Sequence, residues 1–345
     1  MLTIGVLTGG SDAPGLNAAI RAIVLAAEQR GGMETAGVRN GFEGIAGAHW
    51  ASLAAADVLG IHTRGGSILG CDNIFRGEPT AFEAALREGG LDGLIVIGGN
   101  GSLTVAQAMV EAGARVVGVP KTIDNDVAGT ELTIGFDTAV RVVADACQRL
   151  IDTAESHRRV MILEVMGRHS GFIALHGAMA GGADIALLPE IGYKLDAIVE
   201  SIEQRQTRGH NHTLIVAAEG AAERGGAPVI DQLRTDSTGI QHLGGIGQML
   251  RESLRDRCDS EVRSVDLAYL QRGGPPTAFD RVIAAQMGVQ ALEALTKGEA
   301  GTFTAYAGGE VEMRPLTEAA GKARKVELEE SLVLSARGMG LQFGD

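Results

Sequence analysis

The sequence is poor in cysteine and has no apolar run of membrane-spanning length. Its three cysteines, Cys71, Cys147 and Cys258, are scattered and form no C-x-x-C pair, so neither a disulfide framework nor a zinc site is predicted. The chain enters a strand-like pattern at once, without a charged leader or a cleavage site. We therefore expect a cytoplasmic protein with no membrane partner.

Positive charge is also scarce. The 30 lysines and arginines face 43 aspartates and glutamates, which gives a formal net charge of −13. Such a chain lacks the broad basic surface that nucleic-acid binding requires, so no nucleic-acid partner is expected. Phosphate groups could still bind in a local pocket of arginine, lysine and backbone N–H groups.

Several enzyme signatures are missing as well. The histidines form no H-E-x-x-H pair and no G-x-S-x-G elbow occurs, so histidine metal sites and serine hydrolase chemistry have little support. The first glycine cluster, residues 9–15, is neither G-x-G-x-x-G nor G-x-x-x-x-G-K-[ST]. Taken alone, it is explained equally well by a phosphate-binding loop and by a tight strand-to-helix turn.

Glycine is abundant, at 50 of 345 residues, and it clusters where strand-like runs end. Apolar runs at 2–8, 93–97 and 116–119 alternate with helix-like segments such as 16–30, which indicates parallel sheets covered by helices. The length and the 45% hydrophobic content allow two such lobes. We predict an α/β fold of two lobes, each a mostly parallel sheet flanked by helices.

No linker or internal repeat marks the lobe boundaries. We place the first lobe at residues 1–137 and 251–305 and the second at 138–250, with 306–345 packing back on the lobes. Ligands bind beyond the carboxyl ends of parallel strands, so the loops that follow the strands are the expected binding segments. Further strands are predicted at 160–165, 185–188, 214–218 and 264–270.

The most distinctive loop, PKTIDND at residues 120–126, comes just past a buried strand. It holds two carboxylates, Asp124 and Asp126, beside the Thr122 hydroxyl and the Lys121 ammonium group. Phosphoryl transfer requires a base near the attacking hydroxyl and cations near the phosphoryl oxygens, and this loop offers both. A solvated turn rich in aspartate and asparagine is the alternative interpretation.

Four arginines flank strand ends in this acidic chain: Arg159, Arg168, Arg263 and Arg272. The planar guanidinium group can bind a phosphate through two parallel hydrogen bonds, so anion capture is one interpretation. Ordinary surface ion pairs are the other.

Taken together, these segments resemble the ATP- or pyrophosphate-dependent 6-phosphofructokinase family, and look closest to its actinobacterial branch of mixed phosphoryl donors. The order and spacing of the matching stretches hold across nearly the whole chain. They are IGVLTGGSDAPGLN at 4–17, RGGSILG at 64–70, VIGGNGS at 96–102, PKTIDND at 120–126, TIGFDT at 133–138, EVMGRHSG at 164–171, AGG at 180–182, VAAEG at 216–220, LQRGG at 270–274 and FDR at 279–281.

The resemblance implies a kinase that transfers a phosphoryl group from ATP to the 1-hydroxyl of fructose 6-phosphate, giving fructose 1,6-bisphosphate. Asp124 would take the proton from that hydroxyl. Lys121, Thr122, Asp126 and Arg168 would complete the catalytic set. The sugar phosphate would be bound in the second lobe and its surroundings by Thr122, Asp124, Arg159, Met166, Gly167, Arg168, Glu219, Arg263, Tyr269 and Arg272.

The same resemblance assigns the phosphoryl donor to the first lobe and implies that Mg²⁺ bridges the donor phosphates. Asn100 would hold the metal weakly, and Asp126 would reach it through water. It also implies a homodimer or homotetramer in which arginines reach a neighbouring subunit's substrate. The donor would be contacted by Gly10, Ser11, Asn73, Asn100, Gly101 and Ser102.

Two positions bear on the choice of donor. In the family, the residue at position 101 is small in ATP users and aspartate in pyrophosphate users. Gly101 leaves the space beside the α-phosphate open, so ATP is the expected donor. Lys121 is what pyrophosphate-dependent and mixed-branch members carry, which keeps pyrophosphate as the alternative.

Four positions depart from the family's pattern. Ser11 replaces a loop glycine, Asn73 an arginine that reaches the transferred group, Asn100 a magnesium carboxylate and Tyr269 a histidine of the 6-phosphate site. A paralogue that acts on another ketose phosphate, such as allulose or sedoheptulose phosphate, is therefore an alternative. A non-catalytic regulatory subunit that binds sugar phosphate is an alternative of another class.

Overall fold

The computed structural model describes residues 1–72, 77–235 and 241–345. The strands, in chain order, are β1 (Leu2–Thr8), β2 (Met33–Val38), β3 (Trp50–Leu53), β4 (Gly93–Gly98), β5 (Val116–Pro120), β6 (Val160–Val165), β7 (Ile185–Leu187), β8 (Thr213–Ala218), β9 (Ile230–Thr235), β10 (Gln241–Leu243), β11 (Val262–Asp266), β12 (Thr302–Ala307) and β13 (Glu310–Pro315). The helices are α1 (Leu16–Arg30), α2 (Gly41–Ala46), α3 (Pro79–Glu88), α4 (Asn100–Glu111), α5 (Phe136–His157), α6 (Phe172–Gly181), α7 (Leu195–Thr207), α8 (Ile246–Arg255), α9 (Ala278–Lys297) and α10 (Ser331–Gly338).

The chain divides into two compact units. The first unit comprises Met1–Thr138 and Arg272–Arg324, and the second comprises Ala139–Gln271 and Lys325–Asp345. The predicted return to the first lobe at residue 251 differs from this division, because β11 still pairs with β6 in the second unit. The predicted C-terminal segment is also divided, because β13 pairs with β12 in the first unit.

The first unit is built on a seven-stranded sheet in the order β13-β12-β5-β4-β1-β2-β3. Strands β2, β1, β4, β5 and β12 run parallel, and β3 and β13 are antiparallel at the two edges. Alternate residues of β4 belong to different hydrophobic clusters, Ile95 to one with α1 and α9, and Val96 to one with α4. Since successive strand side chains point to opposite faces, both faces of the sheet are covered.

The second unit has a fully parallel sheet in the order β11-β6-β8-β7, and β9 and β10 form a separate antiparallel pair. The open edge of β7 is covered by the end of the chain. The N–H of Ala186 donates to the carbonyl of Gln342 at 2.8 Å, and the next side chain, Phe343, is fully buried. This short addition leaves β7 without an unpaired edge at that point.

The predicted α/β fold with mostly parallel sheets and flanking helices is confirmed. The strand predicted at 264–270 is wrong at its end, because β11 stops at Asp266 and a 3₁₀ turn, Ala268–Arg272, follows. The Asp266 carboxylate accepts the Ala268 N–H at 2.7 Å, and Ala268 has a φ of 39°, so the chain turns there. None of the helices in the described part of the chain has both the length and the apolar character needed to cross a membrane.

Candidate active site

The loops that follow β1, β4 and β5 line one cavity of about 340 Å³ in the first unit. These strands are parallel neighbours, so their carboxyl ends meet at one edge of the sheet. Of the donor residues predicted from the sequence, Asn73 lies outside the described residues. The cavity brings together ten predicted residues: Gly10, Ser11, Asn100, Gly101, Ser102, Lys121, Thr122, Asp124, Asp126 and Arg272.

Sequence reasoning missed four residues that line the same cavity: Phe42, Asp72, Gly99 and Val105. Gly99 lies in the glycine-rich VIGGNGS stretch after β4, a predicted binding segment, but was not among the predicted donor contacts. Phe42 and Asp72 come from segments remote in sequence, and only the fold brings them to the cavity. The Asp72 carbonyl accepts the Gly10 N–H at 2.9 Å, which ties its segment to the first glycine loop.

Two glycines are required here by close packing against Ser102. A Cβ atom on Gly9 would lie 2.5 Å from the Ser102 hydroxyl, and one on Gly98 would lie 2.3 Å from the Ser102 Cβ. Gly101 differs, because a Cβ atom there would meet no atom within 4 Å. Glycine therefore packs the two loops together at positions 9 and 98 and leaves free space at position 101.

Lys121 is buried, with only 2% of the residue exposed. Its ammonium group donates to the carbonyl of Gly9 at 3.0 Å and also to the carbonyl of Ser11. Burial lowers the pKa of Lys121 to about 8, while the charges of Asp12 and Asp124 act in the opposite direction. The lysine that the sequence places near the transferred phosphate is thus bonded to the first glycine loop.

Asp124 lies in the cavity wall on the loop after β5. Its N–H donates to the Thr122 hydroxyl at 3.1 Å, and that hydroxyl lies 3.4 Å from the Asp124 carboxylate. The Thr133 hydroxyl donates to the Thr122 carbonyl at 2.6 Å and holds the same loop from behind. These bonds fix the backbone on which the proposed base is carried.

Asp126 is the more strongly perturbed carboxylate. Burial, together with the nearby charge of Asp124, raises the pKa of Asp126 to about 7. The Asn100 side-chain amide donates to the Asp126 carbonyl at 3.3 Å. The amide oxygen of Asn100 is buried and has no hydrogen-bond partner among the described residues.

These two side chains fit the limited protein contribution that Mg²⁺ requires. Magnesium usually keeps several waters and binds one or two carboxylates together with substrate phosphates. The unpaired Asn100 oxygen and the Asp126 carboxylate are hard oxygen ligands of that kind. Within the described ranges, no group of three or more histidine, cysteine, aspartate or glutamate side chains is arranged to hold a metal ion. A magnesium ion here would therefore depend on the donor phosphates and water for most of its ligands.

Arg272 belongs to the first unit and lines the same cavity as Asp124. One of its terminal nitrogens donates to the carbonyl of Asp12 at 3.3 Å. The first glycine loop is therefore bonded to two different cations, Lys121 and Arg272.

In the second unit, the predicted sugar-binding residues lie at the carboxyl ends of β6 and β8. The Glu219 N–H donates to the carbonyl of Val165 at 2.8 Å, and the Gly220 N–H donates to the carbonyl of Gly167 at 3.1 Å. A Cβ atom on Gly220 would lie 2.1 Å from the Arg168 carbonyl, so the two loops touch through their backbones. The structure thus brings Glu219 beside the Met166, Gly167 and Arg168 segment.

Gln271 supports this segment and was not found from the sequence. It is fully buried, its side-chain oxygen accepts the Met166 N–H at 3.2 Å, and its side-chain nitrogen donates to the Ala268 carbonyl at 3.1 Å. It therefore orients the Met166 backbone. Its place in the LQRGG stretch was the available signal.

Arg159 and Arg263 lie at the other end of the strands, before or near the start of β6 and β11. Both bind one carboxylate: the Arg159 Nε is 2.5 Å from Glu261 Oε2, and Arg263 bonds to Oε1 of the same residue. The hydrogen bond from Arg159 is the main cause that lowers the pKa of Glu261. Glu261 was missed by sequence reasoning, because nothing in its local sequence marks it.

A six-residue strand is about 20 Å long, so Arg159 does not join Met166 at the carboxyl end of β6. Tyr269, predicted to replace a phosphate-binding histidine, lies in the 3₁₀ turn after β11 and is 60% exposed. In the second unit of a single chain, the predicted sugar-binding residues therefore lie apart from Arg159 and Arg263, the arginines predicted to bind the 6-phosphate.

Asp280 does not line the cavity; it supports the backbone at the start of α5. Its buried carboxylate accepts hydrogen bonds from the N–H groups of Gly135 and Thr138 at 2.9 and 2.8 Å, and from the Thr138 hydroxyl at 2.5 Å. Burial raises the pKa of Asp280 to about 6. These bonds cap the start of α5 and explain the FDR and TIGFDT stretches as a pair.

Known proteins resemble this chain over nearly its whole length. One relative is the "ATP-dependent 6-phosphofructokinase" of Chloroflexus aurantiacus, 44% identical over 99% of this chain and 98% of that protein. Another is the "Pyrophosphate--fructose 6-phosphate 1-phosphotransferase" of Amycolatopsis methanolica, also 44% identical, over 95% of this chain and 97% of that protein.

A solved structure gives the same result for the fold. The phosphofructokinase of Pichia pastoris superposes with a TM-score of 0.82 at 28% identity, over 92% of this chain and 37% of that longer chain. The Phosphofructokinase family profile matches residues 3–295. The chain therefore belongs to the phosphofructokinase family.

Proposed function

We propose that this chain transfers the terminal phosphoryl group of ATP to the 1-hydroxyl of fructose 6-phosphate and releases fructose 1,6-bisphosphate. Relatives named for this activity support the proposal. The observation that carries it is the place of Asp124, which lines the same cavity as the glycine-rich loops after β1 and β4. Such loops suit phosphates, and a carboxylate beside them suits a general base.

Asp124 removes the proton of the sugar hydroxyl as its oxygen attacks the phosphorus. Thr122 and the bonded loop behind it keep the carboxylate in position, so that the reacting atoms meet without a further rearrangement. Arg272, in the same cavity, places a positive charge near the transferred group and offsets the negative charge of the phosphates. Met166, Gly167, Arg168 and Glu219 hold the sugar.

Mg²⁺, when bound, neutralises the donor phosphates and draws charge from the leaving group. Asn100 would contribute its unpaired side-chain oxygen. Asp126 would act as a ligand through water. It would do so best as a carboxylate, and the side chain is fully ionised only well above its raised pKa of about 7.

ATP is favoured over pyrophosphate by the free space at Gly101. A donor with an α-phosphate and a nucleoside needs that space, whereas an aspartate there would fill it and repel the phosphate. The Amycolatopsis methanolica relative, named for pyrophosphate, has the same 44% identity as the Chloroflexus aurantiacus relative, named for ATP. Pyrophosphate is therefore the donor against which ATP must be compared directly.

The separation of Arg159 and Arg263 from the sugar residues supports a homodimer or homotetramer with shared sites. In such an assembly, these arginines of one subunit bind the 6-phosphate of a sugar held by the neighbouring subunit. The measurement is the mass of the purified protein in solution, with and without fructose 6-phosphate. A monomer with full activity would contradict this part of the proposal.

The test of activity is a product assay with purified protein, Mg²⁺, either ATP or pyrophosphate, and fructose, allulose or sedoheptulose phosphates. Turnover is expected with ATP and fructose 6-phosphate. Turnover with another ketose phosphate alone would identify a specialised paralogue. Tight sugar-phosphate binding without any turnover would identify a regulatory subunit.

The matched variants are Asp124→Ser and Asp256→Asn. Asp256 is a control because its side chain is exposed and lies in a surface ion pair with Arg255. Asp124→Ser should lower kcat by a factor of about 100 or more with a modest change in KM, as expected when a general base is lost. A near-normal kcat for Asp124→Ser would remove the base from the mechanism.

A further inference from the structure

Three carbonyl groups of the first glycine loop face side-chain cations. Lys121 binds the carbonyls of Gly9, at 3.0 Å, and of Ser11, and Arg272 binds the carbonyl of Asp12 at 3.3 Å. We call Lys121 and Arg272 the carbonyl clamp. The clamp joins the loop after β1 to the loop after β5 and to the segment before α9.

The clamp determines the direction of the peptide groups in the loop. In a trans peptide, the carbonyl of one residue and the N–H of the next point in opposite directions, and no described peptide bond is cis. The Gly9 carbonyl points to Lys121, and the Gly10 N–H accordingly donates on the other side, to the Asp72 carbonyl at 2.9 Å. By the same rule, the N–H groups of Asp12 and Ala13 point away from the two cations.

Because Lys121 is buried, its ammonium group depends on the loop carbonyls as hydrogen-bond partners. An ammonium group has three N–H donors, and two of them are directed to the loop. A buried charge without such partners would be strongly disfavoured, so the carbonyls stabilise the ammonium group as much as it stabilises them. An exposed lysine would instead be free to follow a phosphate group.

We propose that Lys121 is a positioning residue for the phosphoryl donor, acting through the carbonyls of Gly9 and Ser11 rather than by contact with the transferred group. This inference rests on the proposed kinase function, since it assigns the residue a part in donor binding. It also changes how the sequence is interpreted. A lysine whose charge is directed to the loop carbonyls is compatible with ATP, so Lys121 by itself does not indicate pyrophosphate.

The experiment compares Lys121→Met, Lys121→Gln and the control Lys297→Met. Lys297 is suitable because its side chain is 61% exposed and pairs with Glu293 on the surface of α9, away from the cavity. Hydrogen–deuterium exchange of the ligand-free proteins is measured on peptides that cover residues 9–15 and on peptides elsewhere. Initial rates are then measured with ATP and fructose 6-phosphate varied separately.

Lys121→Met should exchange faster by about tenfold in residues 9–15, with little change elsewhere. Its KM for ATP should rise by about tenfold, while its KM for fructose 6-phosphate stays within about twofold and kcat changes less than the KM for ATP. Lys121→Gln keeps one N–H donor group and should give intermediate values, and it serves as the test if Lys121→Met does not fold. Lys297→Met should match the unaltered protein.

Unchanged exchange in residues 9–15 with a large loss of kcat would overturn the proposal in favour of direct contact with the transferred group. Faster exchange throughout the first unit would overturn it in favour of a general role in stability. The exchange measurement requires no turnover. If the kinase function itself fails, the clamp is still tested by exchange and by calorimetric titration with ATP.

Discussion

Lys121 in the first unit and the pair Arg159 and Arg263 in the second unit differ in their place on the strands of their own sheets and in burial. Lys121, after β5 in the first unit, is 2% exposed and bound to backbone carbonyls. Arg159 and Arg263, at the start of β6 and β11 in the second unit, have side chains that are 27% and 54% exposed and share the Glu261 carboxylate. The buried cation has fixed neutral partners, whereas the exposed pair has a charged partner that an anion can replace.

The comparison indicates how each cluster works. A buried hydrogen bond to a fixed carbonyl is hard to exchange, so Lys121 preserves geometry. An ion pair with exposed members contributes little and is easily rearranged, so under the proposed function Arg159 and Arg263 would exchange Glu261 for the sugar 6-phosphate. Under the proposed function, burial therefore distinguishes the cation that holds a loop in place from the cations that bind the substrate.

The largest effect is expected in the cavity of the first unit, from Gly101→Asp. The new side chain has free space, so it should not disturb the fold, but its charge would face the donor phosphates. We expect kcat/KM for ATP to fall by on the order of 100-fold, and the value for pyrophosphate to fall much less. Gly338→Asp, at another position with free space, is the control. Equal losses with both donors would show that charge beside the α-phosphate is not the cause.

The buried network of Asp280 should give the next largest effect. Asp280→Asn replaces one accepting oxygen by a donor that faces N–H groups, which should lower the free energy of unfolding by about 2 kcal/mol. Asp145→Asn, which removes an exposed ion pair with Arg141, should change the free energy of unfolding by less than about 0.5 kcal/mol. Denaturant unfolding of both variants measures the difference. Similar losses of unfolding free energy in Asp280→Asn and Asp145→Asn would contradict the greater contribution assigned to the buried hydrogen bonds.

Asp126→Asn should have a smaller effect that depends on pH. Burial and Asp124 raise the pKa of Asp126 to about 7, so the fold favours its protonated form. The stability that this group contributes is complete below its ordinary pKa of 3.8 and is lost as the pH rises through about 7. The variant should therefore have a higher Tm than the unaltered protein at pH 8, and the difference should shrink towards pH 5. A difference that is independent of pH would contradict the raised pKa.

The smallest effect is expected from Glu261→Gln, at the carboxylate shared by Arg159 and Arg263. Without the carboxylate, the two arginines have no charged competitor for the sugar 6-phosphate, so KM for fructose 6-phosphate should fall by a factor of about 2 to 5 at unchanged kcat. Glu252→Gln, which affects the exposed ion pair with Arg251, should leave KM unchanged. An increase in KM for Glu261→Gln would mean that the carboxylate holds the arginines in place instead of competing with the phosphate.

Much of the fold could be predicted because its signals are local. The helix at Leu16–Arg30 and the strand at Val160–Val165 have the predicted bounds, since each is an uninterrupted run of one pattern. The end of β11 was wrong because a single side-chain bond from Asp266 turns the chain. The unit boundaries were displaced because they depend on which distant strands pair, and no local pattern records that.

The cavity was predictable where it is made of loops that follow strands. Parallel topology alone brings Gly10, Gly101 and Asp124 to one edge of the sheet. Phe42 and Asp72 could not be found, because they reach the cavity from other segments. The hydrogen-bond partners of Lys121 and Arg159 could not be predicted from the sequence either. Whether such a cation binds a carbonyl, a carboxylate or a phosphate depends on distances that the fold determines.

The addition of Gln342 to the edge of β7 has a consequence for biosynthesis. The second unit begins at Ala139, but its sheet edge and the buried place of Phe343 are completed by residues made some two hundred positions later. Until those residues leave the ribosome, β7 exposes an open edge and an unfilled hydrophobic site. The second unit can therefore reach its final packing only after Gln342 and Phe343 have been synthesised, and a nascent chain that stops before Gln342 keeps an exposed strand edge of the kind that favours aggregation.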